Sequence, residues 1–131
     1  MRLSPANHKA ESLQRRERWR RDHAAARTLN SAYPQVERIC VNLRFDGTGF
    51  TRLAPQSHVL HGPAQAFFDF PCPYADCDGT FDLKSVVAAL VEGRGELTEA
   101  HLDCAGTRPR LQAAKQPCLL HVDYAVSVRY R

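Results

Sequence analysis

No stretch of this 131-residue chain approaches the roughly eighteen consecutive apolar residues that a membrane-spanning helix needs, so a spanning protein is not expected. The N-terminal segment is positively charged but has no apolar h-region, since Leu3 and Leu13 are its only large aliphatic side chains before Trp19. No secretory signal is expected, and the chain reads as cytoplasmic. Low-complexity tracts are absent as well. So are the familiar catalytic motifs: there is no nucleophile elbow, no phosphate-cradling glycine loop and no HExxH. Nothing places a reacting atom, and the chain reads as non-enzymatic. His58 and His61, with Asp46 or Asp69, offer an acid–base pair on paper only, and a small enzyme built on them ranks last.

What the chain does contain suits a single domain with an appendage. Its apolar share of 44% and charged share of 24% are those of a globular protein. Five cysteines in a reducing compartment point to metal or catalysis before disulfides, and their odd number argues against full pairing. The net charge of +4 is unevenly spread. Residues 1–30 hold eight Arg and Lys against three Asp and Glu, whereas residues 31–131 hold ten against eleven. A basic arm, residues 1–34, is thus expected to precede a body, residues 35–131, a pattern that suits a polyanionic partner or an arm folded onto its own body.

Ser4-Pro5 reads as a helix start, and no Pro or Gly follows before Leu29. A wheel that places Leu13, Glu17, Arg20, Ala24 and Arg27 together shows no apolar stripe, so this helix is expected to be exposed or partly disordered. Val36–Phe45 alternates as a half-buried strand, Asp46-Gly47-Thr48-Gly49 makes a turn, and Phe50–Leu53 returns as the second arm of a hairpin. Pro55–Pro63 is read as a loop or broken strand and Ala64–Phe70 as a third strand. Leu83, Val86, Val87, Leu90 and Val91 give the clearest helical spacing, with Asp82 as N-cap and Gly93 as C′ residue. Residues 97–104 and Leu120–Tyr130 complete the order β-β-β-α-β-β, with Tyr124 and Tyr130 in the core. The fold class is therefore α+β: a small, mainly antiparallel sheet with one packed helix, a Cys site and a basic helical arm.

Cys72, Cys77, Cys104 and Cys118 are the candidate ligands of one structural Zn²⁺, since thiolates dominate structural zinc sites and a gap of up to four residues lets one turn present two sulfurs. Cys77-Asp78-Gly79-Thr80 and Cys104-Ala105-Gly106-Thr107 are near copies. In each, glycine lets the backbone turn its N–H groups toward the thiolate, through a positive φ if required. CPYADCDG, CAG and the downstream PC resemble a zinc ribbon or zinc knuckle, which implies a closed, non-catalytic shell. Two departures stand out: four residues separate the first pair where two are common, and thirteen separate Cys104 from Cys118. The fourth ligand is accordingly open between Cys118, His101 and His121. Buried free thiols and a Cys72–Cys77 disulfide are the remaining alternatives. Cys40, on the polar face of its strand, is left out of the set.

In the arm, Arg15, Arg16, Arg18, Trp19, Arg20 and Arg21, flanked by Lys9 and Arg27, are the candidate nucleic-acid contacts, with Trp19 stacking on a base and the arginines meeting phosphates. Arg38, Arg44 and Arg52 extend this surface or form an ordinary wet sheet face. RNA or a ribonucleoprotein is favoured over a specific DNA site, because no helix offers recognisable base-reading side chains. A solvated helix or a protein-interaction adaptor with a structural zinc is the competing reading.

Overall fold

The computed structural model describes residues 5–47, 53–110 and 113–131, with backbone alone at 5–12, 109–110 and 113–115. In chain order the elements are α1 (Pro5–Ala25), α2 (Leu29–Ala32), β1 (Val36–Asp46), β2 (Gln56–His61), β3 (Asp69–Pro71), β4 (Thr80–Asp82), α3 (Lys84–Glu92), β5 (Leu97–Asp103), β6 (Thr107–Arg110), β7 (Ala113–Pro117) and β8 (His121–Tyr130). The architecture is α+β, as the sequence predicts. A four-stranded antiparallel sheet runs β2-β1-β8-β5, and two small hairpins, β3–β4 and β6–β7, carry the cysteines at their ends.

The two long central strands explain the sheet. β1 and β8 alternate in burial along their length, so each offers one face to the core and one to water. Ile39, Val41 and Leu43 face Val128, Val126 and Tyr124 across the β1–β8 ladder, and all six are buried. Leu29, Phe68, Phe81, Leu83, Val87 and Val91 close over this face from α2, the β3–β4 hairpin and α3. Leu29 lies within the segment read as arm, yet its side chain is fully buried. Tyr130 is half-buried and donates its hydroxyl to the Gly95 carbonyl at 2.7 Å.

Several expected elements move. The strand that pairs with β1 in the expected hairpin is β2, in the stretch read as a loop or broken strand; the expected return arm, Phe50–Leu53, falls largely outside the described residues. β2 lies at the sheet edge, and Pro55 and Pro63 bracket it rather than interrupt it, so neither removes a ladder hydrogen bond. Only Leu60 of β2 is buried, and the inward positions before it are the polar Gln56 and His58, which is why the sequence shows no apolar alternation. The third strand shortens to β3, because residues 64–66 bond instead to the segment around α2: Leu29 N donates to Ala64 O at 2.8 Å and Ala66 N to Arg27 O at 2.7 Å.

The ends of α3 also differ from expectation. Leu83 occupies the N-cap position and has no side-chain cap, while Asp82 accepts a hydrogen bond from Lys84 N at 2.9 Å. At the other end Gly93 has φ −80°, and the positive φ of 51° belongs to Arg94. The closing bonds run from Gly95 N to Leu90 O and from Arg94 N to Val91 O, a Schellman pattern with arginine at its left-handed position. The Arg94 guanidinium lies over the Tyr130 ring at 4.8 Å, an attraction that offsets part of the left-handed cost.

Candidate metal centre

Cys72 follows β3 directly and Cys77 precedes β4, so the first hairpin carries both sulfurs in its connecting loop. Cys104 precedes β6 and Cys118 follows β7, so the second hairpin carries them at its base. The thirteen-residue gap is thereby explained: β6 and β7 pair, Thr107 opposite Pro117, and the chain returns to where it left. The first pair arrives by a short loop and the second by a closed hairpin.

The four sulfurs lie within 4.8 Å of one another, with Cys77 and Cys104 at 3.5 Å and Cys72 and Cys118 at 4.0 Å. Four thiolates at a zinc–sulfur distance of about 2.3 Å would be separated by about 3.8 Å at the corners of a tetrahedron. The cluster brackets that spacing and could hold one metal ion. All five cysteines are free thiols, so the disulfide alternative is not what this structure contains. Cys72, Cys104 and Cys118 are buried and Cys77 is half-buried.

The near-copied segments have matching roles. Gly79 N donates to Cys77 Sγ at 3.3 Å, and Gly106 N to Cys104 Sγ at 3.4 Å. The Gly79 carbonyl accepts from Cys72 N at 3.0 Å, and the Gly106 carbonyl from Cys118 N at 2.9 Å. The two glycines touch each other. A Cβ on Gly79 would lie 2.5 Å from Cys104 Sγ and 2.8 Å from Gly106 N. The expected reason for these glycines was conformational freedom; close approach of two backbones is the reason the structure supplies, for neither takes a positive φ.

Other residues lock the halves together. Thr107 donates to Asp78 through its amide at 2.7 Å and its hydroxyl at 3.0 Å, while Asp78 N donates back to Thr107 O at 3.3 Å. Arg108 grips Asp76 with Nε to Oδ1 at 2.8 Å and Nη2 to Oδ2 at 3.3 Å, and stacks over the Tyr74 ring at 3.9 Å. Among the thiols themselves, hydrogen bonds from Cys72 and Cys77 hold Cys104 below the ordinary thiol pKa. Donating to Cys104 pushes Cys72 and Cys77 up.

The alternative ligands lie elsewhere. His101 and His121 are exposed, and His121 Nδ1 is hydrogen-bonded to Asp103. Neither belongs to the cluster, and nor does Cys40 on the outer sheet face. His58 and His61 project from opposite faces of β2, since His58 pairs with Val41 and His61 with Arg38. They do not form a joint acid–base pair. Burial holds the half-buried His58 below its ordinary pKa, and its ring lies 4.6 Å from that of Phe70.

The N-terminal helix rests on the first hairpin. Trp19 Nε1 donates to Asp69 O at 2.7 Å, and the Trp19 ring stacks on His23 at 5.3 Å and meets Phe67 edge-on at 5.6 Å. Arg16 donates to Ala75 O at 2.6 Å, and Arg15 sits 3.7 Å from Asp78. Arg18, Arg20 and Arg21 are exposed. An aliphatic wheel misses this seating face, which is built from Arg15, Trp19 and His23; their four-residue spacing was the available signal.

Fold and site together define an α+β domain with a buried four-cysteine cluster able to hold a metal ion. Among the described residues no helix is long and apolar enough to cross a membrane. No protein-family model, curated protein or solved structure matches the chain.

Proposed function

We propose that this protein is a non-enzymatic binding module, stapled by one structural Zn²⁺ on Cys72, Cys77, Cys104 and Cys118, that engages nucleic acid through α1. Zinc is favoured because an all-thiolate tetrahedral set is typical of structural zinc sites. Two knuckles, each with a glycine amide donating to a cysteine sulfur, support a zinc-ribbon-like reading. Four thiolates leave no position for a reacting water, so the ion acts as a staple whose binding energy becomes folding energy.

The observation that carries the nucleic-acid reading is how α1 is seated. Its Trp19 face is held by the body while Arg18, Arg20 and Arg21 stay exposed, spreading positive charge around the rest of the helix. RNA or a ribonucleoprotein is favoured over a specific DNA site, since the sequence offers no helix with a recognisable set of base-reading side chains. The test is reversal of Arg18, Arg20 and Arg21 to glutamate, with binding of a labelled single-stranded RNA followed against salt. Truncation at residue 30 is the wrong instrument, because it deletes the buried Leu29. Binding that falls steeply with salt and is lost in the triple variant supports the reading; salt-insensitive binding that survives reversal contradicts it. Exposed Val59 and Leu97 on the edge strands favour the second reading, a protein-interaction adaptor.

A further inference from the structure

The groove between α1 and the body has two chemically different parts. One is a cleft of about 340 Å³ walled by ring side chains, His23, His58, Phe67 and Phe70, with the exposed Val59 at its rim. The other, of about 250 Å³, is lined by Arg15, Arg16 and Arg20 against Tyr74 and the first knuckle. Trp19 and Pro71 line both, so the two parts adjoin along one side of the helix. Neither would admit a helix, whose diameter with side chains is about 10 Å or more, whereas the ring-walled part falls in the size range of small-molecule sites.

We infer that this groove is a nucleotide-binding site, in which a base of single-stranded RNA enters the ring-walled cleft and its phosphate meets Arg20. This deepens the nucleic-acid reading above and rests on it. A nucleotide is a planar ring joined covalently to an anion, and the groove offers aromatic walls beside exposed guanidinium. Stacking on aromatic side chains is tolerant of base identity, while a guanidinium fits two phosphate oxygens at once. Arg15 and Arg16 act differently. Turned toward Asp78 and the Ala75 carbonyl, they screen the negative charge of the knuckle from an incoming phosphate. Asp78, the carboxylate in the lining, is engaged with Thr107 and Arg15. Burial disfavours the charged form of the His58 ring.

Trp19 is the chain's single tryptophan and lines both parts, so its fluorescence reports occupancy directly. The experiment titrates the full, metal-loaded chain with a twelve-residue oligouridylate and with an abasic oligomer of the same length and charge. Val59→Glu, at an exposed edge-strand position, tests the rim of the cleft without touching the core. The expected result is quenching of Trp19 by oligouridylate, at least about tenfold weaker binding of the abasic oligomer, and a loss of similar size in V59E. Equal binding of both oligomers, unchanged in V59E, overturns the groove while leaving binding by arm charge in place. No binding of either oligomer overturns both readings.

Discussion

Thr107 donates twice to Asp78, through its amide at 2.7 Å and its hydroxyl at 3.0 Å, and so ties the second cysteine hairpin to the first across the metal cluster. The tie falls at the position where the near-copied segments differ, Asp78 against Ala105. Asp78→Ala leaves a Thr107 amide without its acceptor, at a cost of about 1–3 kcal/mol. Metal affinity should fall about 10–100-fold, as it does when a group orienting a ligand is removed. Competition with a chromogenic chelator measures this, and unchanged affinity would show that the tie is dispensable.

The glycines separate close approach from conformational freedom. Gly79→Ala drives a Cβ against Cys104 Sγ and the Gly106 amide, so metal binding should be severely weakened and the melting temperature lowered. Gly93→Ala is the contrast: with φ −80° and its nearest contact at 3.5 Å, it should be neutral or stabilising by about 0.4–1 kcal/mol. If Gly93→Ala proved the more damaging of the two, the assignment of the left-handed position to Arg94 would be wrong.

Trp19 anchors α1. Trp19→Ala removes both the bond to Asp69 O and the ring packing on His23 and Phe67. Amide hydrogen exchange across residues 13–25 should accelerate by at least about tenfold while β1 and β8 stay protected. Equal protection in the variant would mean that the arginine contacts alone seat the helix.

His58 sets a pH dependence with a definite sign. Its folded pKa lies below the ordinary 6.5, so the unfolded chain binds the proton more readily. The contribution is fully present above about pH 6.5 and is lost as pH falls toward the folded pKa. Asp69, raised by burial, acts in the opposite sense, losing stability as pH rises from its ordinary 3.8 through its folded pKa. Urea midpoints at pH 7.5 and 5.5 for wild type and His58→Phe isolate the histidine: the acid-induced loss should be smaller in the variant. Identical losses would assign the effect to other groups, the thiols included.

Strong periodicity made β1, α3 and β8 legible in the sequence, because each buries a regular face. β2 was hidden because its burial alternates while its polarity does not: Gln56 and His58 share the inner face with Leu60, and Val59 points outward. β4, β6 and β7 were missed for another reason: they are three to five residues long and held by the cysteine cluster and cross-links such as Arg108–Asp76. The four cysteines were found from residue type and the repeated glycine, whereas the spacing of Cys118 pointed away from it until the β6–β7 hairpin closed the gap. The α1 contacts were obscured because the seating face is aromatic and charged.

Metal analysis of protein purified without added metal bears most directly on the account. One zinc per chain, kept in Cys40→Ser and lost in Cys104→Ser, is the predicted result. Purified wild type that is folded yet carries no zinc, or a Cys104→Ser variant that retains full stoichiometry, would contradict it.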